Sequence, residues 1–190
     1  MGLTGMPRGL GGLTNLQALP LFRVSRNQSH GTIAELQHLN QIRGKLVIDH
    51  LQDMMDPKDA REAKMSSKAG LQSLTLWWGW VPREERSEAL QAQQVDVLEY
   101  LQPHPNLKSL GVYSYGGNRF PNWLRKMDLS SSPLPNLVKV SLEYVNACES
   151  LPMLGQLPSL ERLDIGGMYA LKKIGRECSG ASLYRGDVCP

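Results

Sequence analysis

The sequence predicts an α/β solenoid, a fold in which short parallel strands stack side by side over one continuous core. One observation is a repeated apolar spacing: Leu-x-x-Leu-x-Leu, with valine or isoleucine allowed, occurs twice between Leu137 and Ile165. A second observation is that a similar spacing recurs four more times nearer the amino terminus. A spacing that recurs along a chain indicates one structural unit stacked on copies of itself.

Six units carry this spacing. Their apolar positions are Leu16-Leu19-Leu21, Ile42-Leu46-Ile48, Leu71-Leu74-Leu76, Leu107-Leu110-Val112, Leu137-Val140-Leu142 and Leu160-Leu163-Ile165. The middle positions of successive units are 27, 28, 36, 30 and 23 residues apart. Leucine-rich repeats have about 20 to 29 residues per unit, so three of the five spacings fit and two units carry extra residues.

The alternation within each unit explains why the units must stack. In Leu-x-Leu the leucines point to one side of a strand, and the residue between them points to the other side. The leucines of a single unit cannot bury themselves, so neighbouring units close the core together. We therefore predict a right-handed leucine-rich repeat solenoid, a horseshoe segment of about six repeats with parallel strands on its concave face.

The connections between strands should be helical or irregular. Thr32 and Glu35 have the spacing of a capping box and predict a short helix. Asp56, which is followed by a proline, predicts a second helix that runs to about Ser66. A third helix is predicted for residues 87 to 101, and it accounts for the 36-residue spacing.

The repeats predict one domain over residues 1–175. Residues 176–190 lack the apolar period and are predicted to form a disordered tail. Solenoids need terminal caps with a polar outer face, and neither end of this sequence has one. We expect the chain to be a fragment or truncated form of a longer solenoid.

Composition and charge exclude several classes of protein. The 21 basic and 18 acidic residues give a net charge of +3, and the two signs are interleaved, so no basic face for nucleic acid is expected. No apolar run approaches the ~18 residues of a membrane span. The sequence begins without a secretory signal, and its three cysteines form no paired framework, so a cytoplasmic location is expected.

No pattern indicates an enzyme, a metal site or a cofactor. The four histidines are scattered and have no cysteine or carboxylate at ligand spacing. The sequence contains neither Gly-x-Ser-x-Gly nor His-Glu-x-x-His, and no Gly-x-x-x-x-Gly-Lys-Ser/Thr loop for phosphates. Cys148 occupies a position where a repeat of this kind buries a small residue, so we assign it to the core.

Recognition is expected on the strand side that faces away from the leucines. The candidate partner-binding residues lie between and just after the leucines: Ser73, Thr75, Trp77, Ser109, Tyr113, Lys139, Ser141, Glu143, Arg162 and Asp164. Trp77 and Tyr113 fall at the same position of adjacent units and should lie side by side; aromatic residues commonly anchor interfaces. An alternative is that Trp77, Trp78 and Trp80 pack beneath the insertion that follows them.

Several longer stretches carry a family resemblance. Residues 6–19 (MPRGLGGLTNLQAL), 101–110 (LQPHPNLKSL), 115–124 (YGGNRFPNWL) and 151–160 (LPMLGQLPSL) occur in order, with GKLVI at 44–48 and DPKDAREA at 56–63. Together they resemble the leucine-rich repeat region of plant intracellular immune receptors of the coiled-coil, nucleotide-binding, leucine-rich-repeat type. The resemblance covers residues 1 to about 175.

The resemblance implies a function that the period alone does not. Such repeat regions recognise pathogen-derived or guarded host proteins, and they restrain the nucleotide-binding module of the same receptor. The expected function is therefore a non-enzymatic protein-recognition module of plant innate immunity. Without a phosphate-binding loop, nucleotide-driven switching is not assigned to this chain. A free-standing repeat adaptor or inhibitor of another pathway remains an alternative. An enzyme such as a hydrolase would need a converging nucleophile and base.

Overall fold

The computed structural model describes residues 3–81, 87–125 and 133–172, together with the backbone of Ser182–Arg185. Seven strands form one sheet, and each strand pairs in parallel with the next one along the chain. The strands are β1 (Leu21–Arg23), β2 (Arg43–Asp49), β3 (Gly70–Trp77), β4 (Ser109–Tyr113), β5 (Lys139–Glu143), β6 (Arg162–Gly166) and β7 (Ser182–Arg185). The predicted α/β repeat solenoid is confirmed.

Short helices fill the connections between the strands. The α-helices are α1 (Pro57–Glu62), α2 (Glu88–Tyr100) and α3 (Asn122–Arg125). The 3-10 helices are Leu10–Gly12, Ile33–His38, Leu51–Asp53, Met65–Ser67 and Leu154–Gln156. Helices of successive repeats contact one another, since α1 packs against both α2 and Ile33–His38.

The core is a ladder of leucines in register. Leu74 of β3 pairs with Leu110 of β4, and that residue pairs with Val140 of β5, which pairs with Leu163 of β6. All four side chains are fully buried. Each repeat therefore buries its leucines against those of its neighbours, as the spacing predicts.

The first unit lies one residue away from its predicted position. Strand β1 pairs Leu21 with Val47 and Phe22 with Ile48, so Phe22 takes the buried position that the pattern gave to Leu21. Leu16 and Leu19 are only partly buried against the core. A phenylalanine fills the end of the core with more apolar area than a leucine would, which favours this register.

Two of the three predicted helices form largely as expected. The side chain of Asp56 accepts a hydrogen bond from the Lys58 N–H and caps α1. This helix ends at Glu62 rather than near Ser66, because Lys64 adopts a left-handed conformation (φ 48°) that breaks it. Helix α2 is capped by Ser87, and its Val97 and Leu98 are buried.

The predicted capping box near Thr32 is wrong. The segment Ile33–His38 is a 3-10 helix, and the side chain of Thr32 makes no capping hydrogen bond. The Glu35 carboxylate instead accepts hydrogen bonds from the backbone N–H groups of Gly9 (2.8 Å) and Gly11 (2.7 Å). Glu35 thus makes a contact with the preceding segment of the chain instead of the predicted contact at the start of its own helix.

Four residues of the predicted tail belong to the sheet. Strand β7 pairs Leu183 with Leu163 of β6, so these residues add a seventh strand rather than the disorder expected for 176–190. The other residues of that tail, 176–181 and 186–190, lie outside the described residues. Among the described helices, none has the length and apolar character needed to cross a membrane.

Candidate recognition surface

The strand register places all ten predicted recognition residues on one side of β3 to β6, which we call the recognition face. They form three rows across the sheet, together with two glycines. The rows are Ser73-Ser109-Lys139-Arg162, Thr75-Gly111-Ser141-Asp164 and Trp77-Tyr113-Glu143-Gly166. The leucines between these rows point into the core. This geometry follows directly from the alternation of side chains along a strand.

Trp77 and Tyr113 lie side by side at the carboxyl ends of β3 and β4, as the sequence predicts. The side chain of Trp77 is 45% exposed, and that of Tyr113 is half-buried. Gly111 makes room for the tyrosine: a Cβ at this position would lie 2.7 Å from Cε2 of the Tyr113 ring. The ring therefore lies over bare backbone; we call the side chains of Trp77 and Tyr113, which occupy paired positions of β3 and β4, the aromatic platform.

The three tryptophans within residues 77–80 have different environments. Trp78 is fully buried and meets the Tyr115 ring edge-on, with 5.0 Å between ring centroids, so packing beneath the insertion is the correct interpretation for it. Trp80 is 78% exposed, which contradicts that interpretation. Trp77, at the end of β3, belongs to the recognition face.

Charged residues of β5 and β6 form a cluster. The carboxylate of Asp164 lies 3.0 Å from Nζ of Lys139 and 3.2 Å from Nε of Arg162, and it accepts a hydrogen bond from the Ser141 hydroxyl. Partial burial raises the pKa of Asp164, but hydrogen bonds from Lys139 and Arg162 outweigh it and hold the pKa below its ordinary value. Two cations share one carboxylate, so this cluster keeps a net charge of +1.

The ten residues are not equally accessible. Arg162 and Trp77 are exposed, whereas Ser141 is buried and can do little more than orient Asp164. The remaining residues are partly exposed. Contacts with a partner would therefore centre on the aromatic platform at one end of the face and on Arg162 at the other.

Sequence reasoning missed the charged residues of β1 and β2. Arg23 and Asp49 occupy paired positions at the ends of these strands, and the Arg23 guanidinium binds both carboxylate oxygens of Asp49. Arg23 was missed because the first unit was placed one residue too early, and Asp49 because no recognition residues were selected from the second unit, although its register was correct. The sequence does carry a signal, since each charged residue directly follows a large apolar one, Phe22 and Ile48.

A recurrent turn at the strand ends was also missed. The residues that directly follow strands β2, β4, β5 and β6 all have φ between 55° and 61°: His50, Ser114, Tyr144 and Gly167. This left-handed turn sends the chain from the sheet into its connection. At Tyr144 it also presents an exposed aromatic side chain beyond the recognition face.

The described residues do not form a metal site and do not include an activated cysteine nucleophile. No group of three or more histidine, cysteine or carboxylate side chains is placed to hold a metal ion there. Cys148 is buried and donates a hydrogen bond from Sγ to the Gly117 carbonyl, and burial raises the pKa of its thiol to about 12. A thiol held in its protonated form is a poor nucleophile, so Cys148 is a core residue.

The leucine ladder and the exposed rows define a leucine-rich repeat protein. Within that class, the chain belongs to the family described as R13L1/DRL21 LRRs, whose family model matches residues 33–168. Domains of this family and fold are typically modules for interaction between proteins rather than enzymes.

The chain is similar to plant disease resistance proteins. It is 37% identical over 156 residues to disease resistance protein RGA2 of Solanum bulbocastanum, covering 82% of this chain and 15% of that protein. It is 38% identical over 148 residues to RPP13-like protein 1 of Arabidopsis thaliana, covering 76% of this chain and 14% of that protein. The chain thus spans about a seventh of the length of these two relatives.

Among solved structures, the leucine-rich repeat domain of the type III effector XCV3220 (XopL) is similar, with a TM-score of 0.44 and 18% identity. The similarity covers 92% of this chain and 61% of that domain. The family assignment rests on the sequence match.

Proposed function

We propose that this chain is the protein-recognition region of a plant disease resistance receptor, and that its recognition face binds a pathogen effector or a guarded host protein. The observation that carries the proposal is the pairing of Trp77 with Tyr113 in register on the exposed side of the sheet. The family and the names of its relatives supply the immune context.

The composition of the face supports a protein as the partner. Aromatic and arginine side chains provide most of the binding energy at interfaces, and a polar rim surrounds them. Here Trp77 and Tyr113 form the aromatic platform, and charges of both signs lie in the neighbouring strands at Glu143, Arg162 and Asp164. A nucleic acid would instead favour an excess of basic residues.

The remaining features of the proposal follow from the resemblance to such receptors. The chain acts without catalysis and without a cofactor, in the cytoplasm, as part of a longer receptor. In that receptor it would also contact the nucleotide-binding module. A free-standing adaptor would use the same face. The identity of the captured partner therefore distinguishes a receptor region from an adaptor.

Differential capture from a plant extract tests the proposal. The immobilised chain is compared with Trp77→Ala/Tyr113→Ala, and with Tyr100→Ala/Leu13→Ala as a matched control that removes two exposed apolar residues elsewhere. We expect at least one protein to be lost from the first variant and retained by the second. Identical sets of captured proteins for all three baits would contradict the proposal.

A further inference from the structure

An open cleft of about 860 Å³ lies at the carboxyl edge of the sheet, where the loops after β3 to β6 approach α2. Three exposed aromatic side chains line it, Trp80 after β3, Tyr144 after β5 and Tyr169 after β6, together with the buried Tyr115. Trp77 and Tyr113 are not part of its lining, so the cleft lies beside the recognition face and is distinct from it.

The aromatic side chains of the cleft are far more exposed than core packing requires. Trp80 is 78% exposed, Tyr169 76% and Tyr144 54%. Exposed large aromatic residues that gather at one place mark an interaction site, whereas isolated ones do not. These three come from three different loops and converge on a single cleft.

The part of the cleft lining that the structure describes is uncharged. None of these residues is acidic or basic, and apart from the tyrosine hydroxyls the polar side chains are amides and a serine hydroxyl: Gln91, Gln94, Asn118, Asn146 and Ser114. Phosphates and acidic or basic peptides need charges of the opposite sign, which this lining does not supply. The chemistry of the lining therefore selects a neutral ligand.

Two of the amides are prepared for hydrogen bonds to such a ligand. The Gln94 carboxamide is held in place because its Oε1 accepts a hydrogen bond of 2.7 Å from the Gly116 N–H. The Asn146 Oδ1 atom is buried and has no hydrogen-bond partner among the described residues. A buried acceptor without a donor is costly, so a ligand N–H that reached this atom after rotation of the Asn146 side chain would bind favourably.

We propose that this cleft binds an extended, uncharged, proline-containing peptide. Grooves lined by aromatic side chains bind peptides of the polyproline II type, whose rings stack on the aromatic faces. Trp80 and Tyr169 follow strands that are three strand spacings apart, or about 14 Å. At 3.1 Å per residue a polyproline II segment of about five residues covers this distance.

A neutral oligosaccharide is the other ligand that stacks on aromatic rings. Its many hydroxyl groups are bound most strongly by carboxylates and other charged side chains, through charge-assisted hydrogen bonds. The described lining has none of these groups, so the peptide is favoured. The proposal is independent of the function assigned to the recognition face, and either can fail alone.

Selection from a phage-displayed library of random decapeptides tests the proposal. Phage are selected on the full chain, after removal of those that also bind Trp80→Ala/Tyr169→Ala. We expect the surviving peptides to be enriched in proline and depleted of aspartate, glutamate, lysine and arginine. A charged consensus, or no enrichment over the variant, would overturn the proposal.

Calorimetry on the best synthetic peptide gives the second readout. Trp80→Ala/Tyr169→Ala should weaken its affinity at least tenfold, and Asn146→Asp, which places a charge in the cleft, should weaken it too. Tyr100→Ala, which removes an exposed aromatic residue outside the cleft, should leave the affinity unchanged. Unchanged affinity in the double variant, or tighter binding of cellohexaose than of the peptide, would contradict the peptide assignment.

Discussion

Arg23 and Asp49 join the ends of strands β1 and β2 through a bidentate ion pair. The Nε atom of Arg23 lies 3.1 Å and 3.0 Å from the two carboxylate oxygens of Asp49. Asp49 is only 2% exposed. The hydrogen bond to Asp49 raises the pKa of Arg23, despite the opposing effect of burial, so the guanidinium stays charged. The first repeat is thus fixed to the second by charge as well as by apolar packing.

Asp49→Asn should destabilise the fold. Hydrogen bonds to charged groups contribute about 1.5–3 kcal/mol, so we expect a loss of this size in the free energy of unfolding, measured by urea denaturation. Asp53→Asn is the matched control, because Asp53 pairs with the largely exposed Arg26. That exposed pair should contribute no more than about 1 kcal/mol. Equal losses in the two variants would show that burial of Asp49 is unimportant.

Substitution of a leucine in the buried ladder should destabilise the fold more than substitution of an exposed leucine. Leu74→Ala removes a fully buried side chain between β2 and β4, and such a change costs about 2–5 kcal/mol. Leu13→Ala removes an exposed leucine and should cost much less. Thermal unfolding of both variants checks this difference. A Leu74→Ala protein as stable as the wild type would mean that the strands do not share one core.

A buried lysine gives the stability a specific pH dependence. The side chain of Lys68 is buried, and its Nζ donates to the Gln37 carbonyl and to Oδ1 of Asn40. Burial, with a smaller effect from nearby Lys64, lowers its pKa from 10.5 to about 8. Between these two values the unfolded state binds a proton that the folded state has released. Stability from this residue therefore rises with pH across that window; it is fully present above about 10.5 and is lost by the time the pH has fallen to about 8.

Lys68→Met should remove this rise, as measured by urea denaturation at pH 7, 8.5 and 10. Burial also raises the pKa of Cys148 and of Tyr115, which lowers stability at alkaline pH. The informative quantity is therefore the difference between variant and wild type, with Lys58→Met as an exposed control. A difference that does not change with pH would contradict the lowered pKa of Lys68.

Gly111→Ala should disturb recognition more than stability. The added Cβ would meet the Tyr113 ring at 2.7 Å, so the ring must leave its place over Gly111, which changes the surface next to Trp77. Because a side chain rather than backbone has to move, we expect a loss of stability below about 1 kcal/mol. Partner affinity should fall several-fold. Gly12→Ala is the matched control, since no atom lies within 4 Å of its added Cβ.

Sequence reasoning succeeded where a local period determined the structure. The register of β3 to β6 and the neighbouring positions of Trp77 and Tyr113 follow from leucine spacing alone. It failed where partners distant in sequence decided the outcome. Glu35 accepts hydrogen bonds from Gly9 and Gly11 instead of capping its own helix.

The residues of the candidate site were likewise predicted only where a local pattern determines their position. Which strand positions face outward was predictable, because side chains alternate along a strand. The environments of Trp78 and Trp80 could not be predicted, because they depend on how the chain packs after the strand has ended. Trp78 meets Tyr115 in the core, whereas Trp80 lines the cleft. The cleft itself combines loops from several repeats, and no local pattern reports such convergence.

We propose above all that Trp77 and Tyr113 anchor a protein partner on the recognition face. The most direct measurement is the calorimetric affinity of Trp77→Ala/Tyr113→Ala for a partner identified by capture, with the melting temperature of the variant measured in parallel. Anchors of this kind contribute about 2 kcal/mol or more, so affinity should fall at least about 30-fold. The melting temperature should stay nearly constant. Unchanged affinity, or a loss of binding that only follows a loss of folding, would contradict the account.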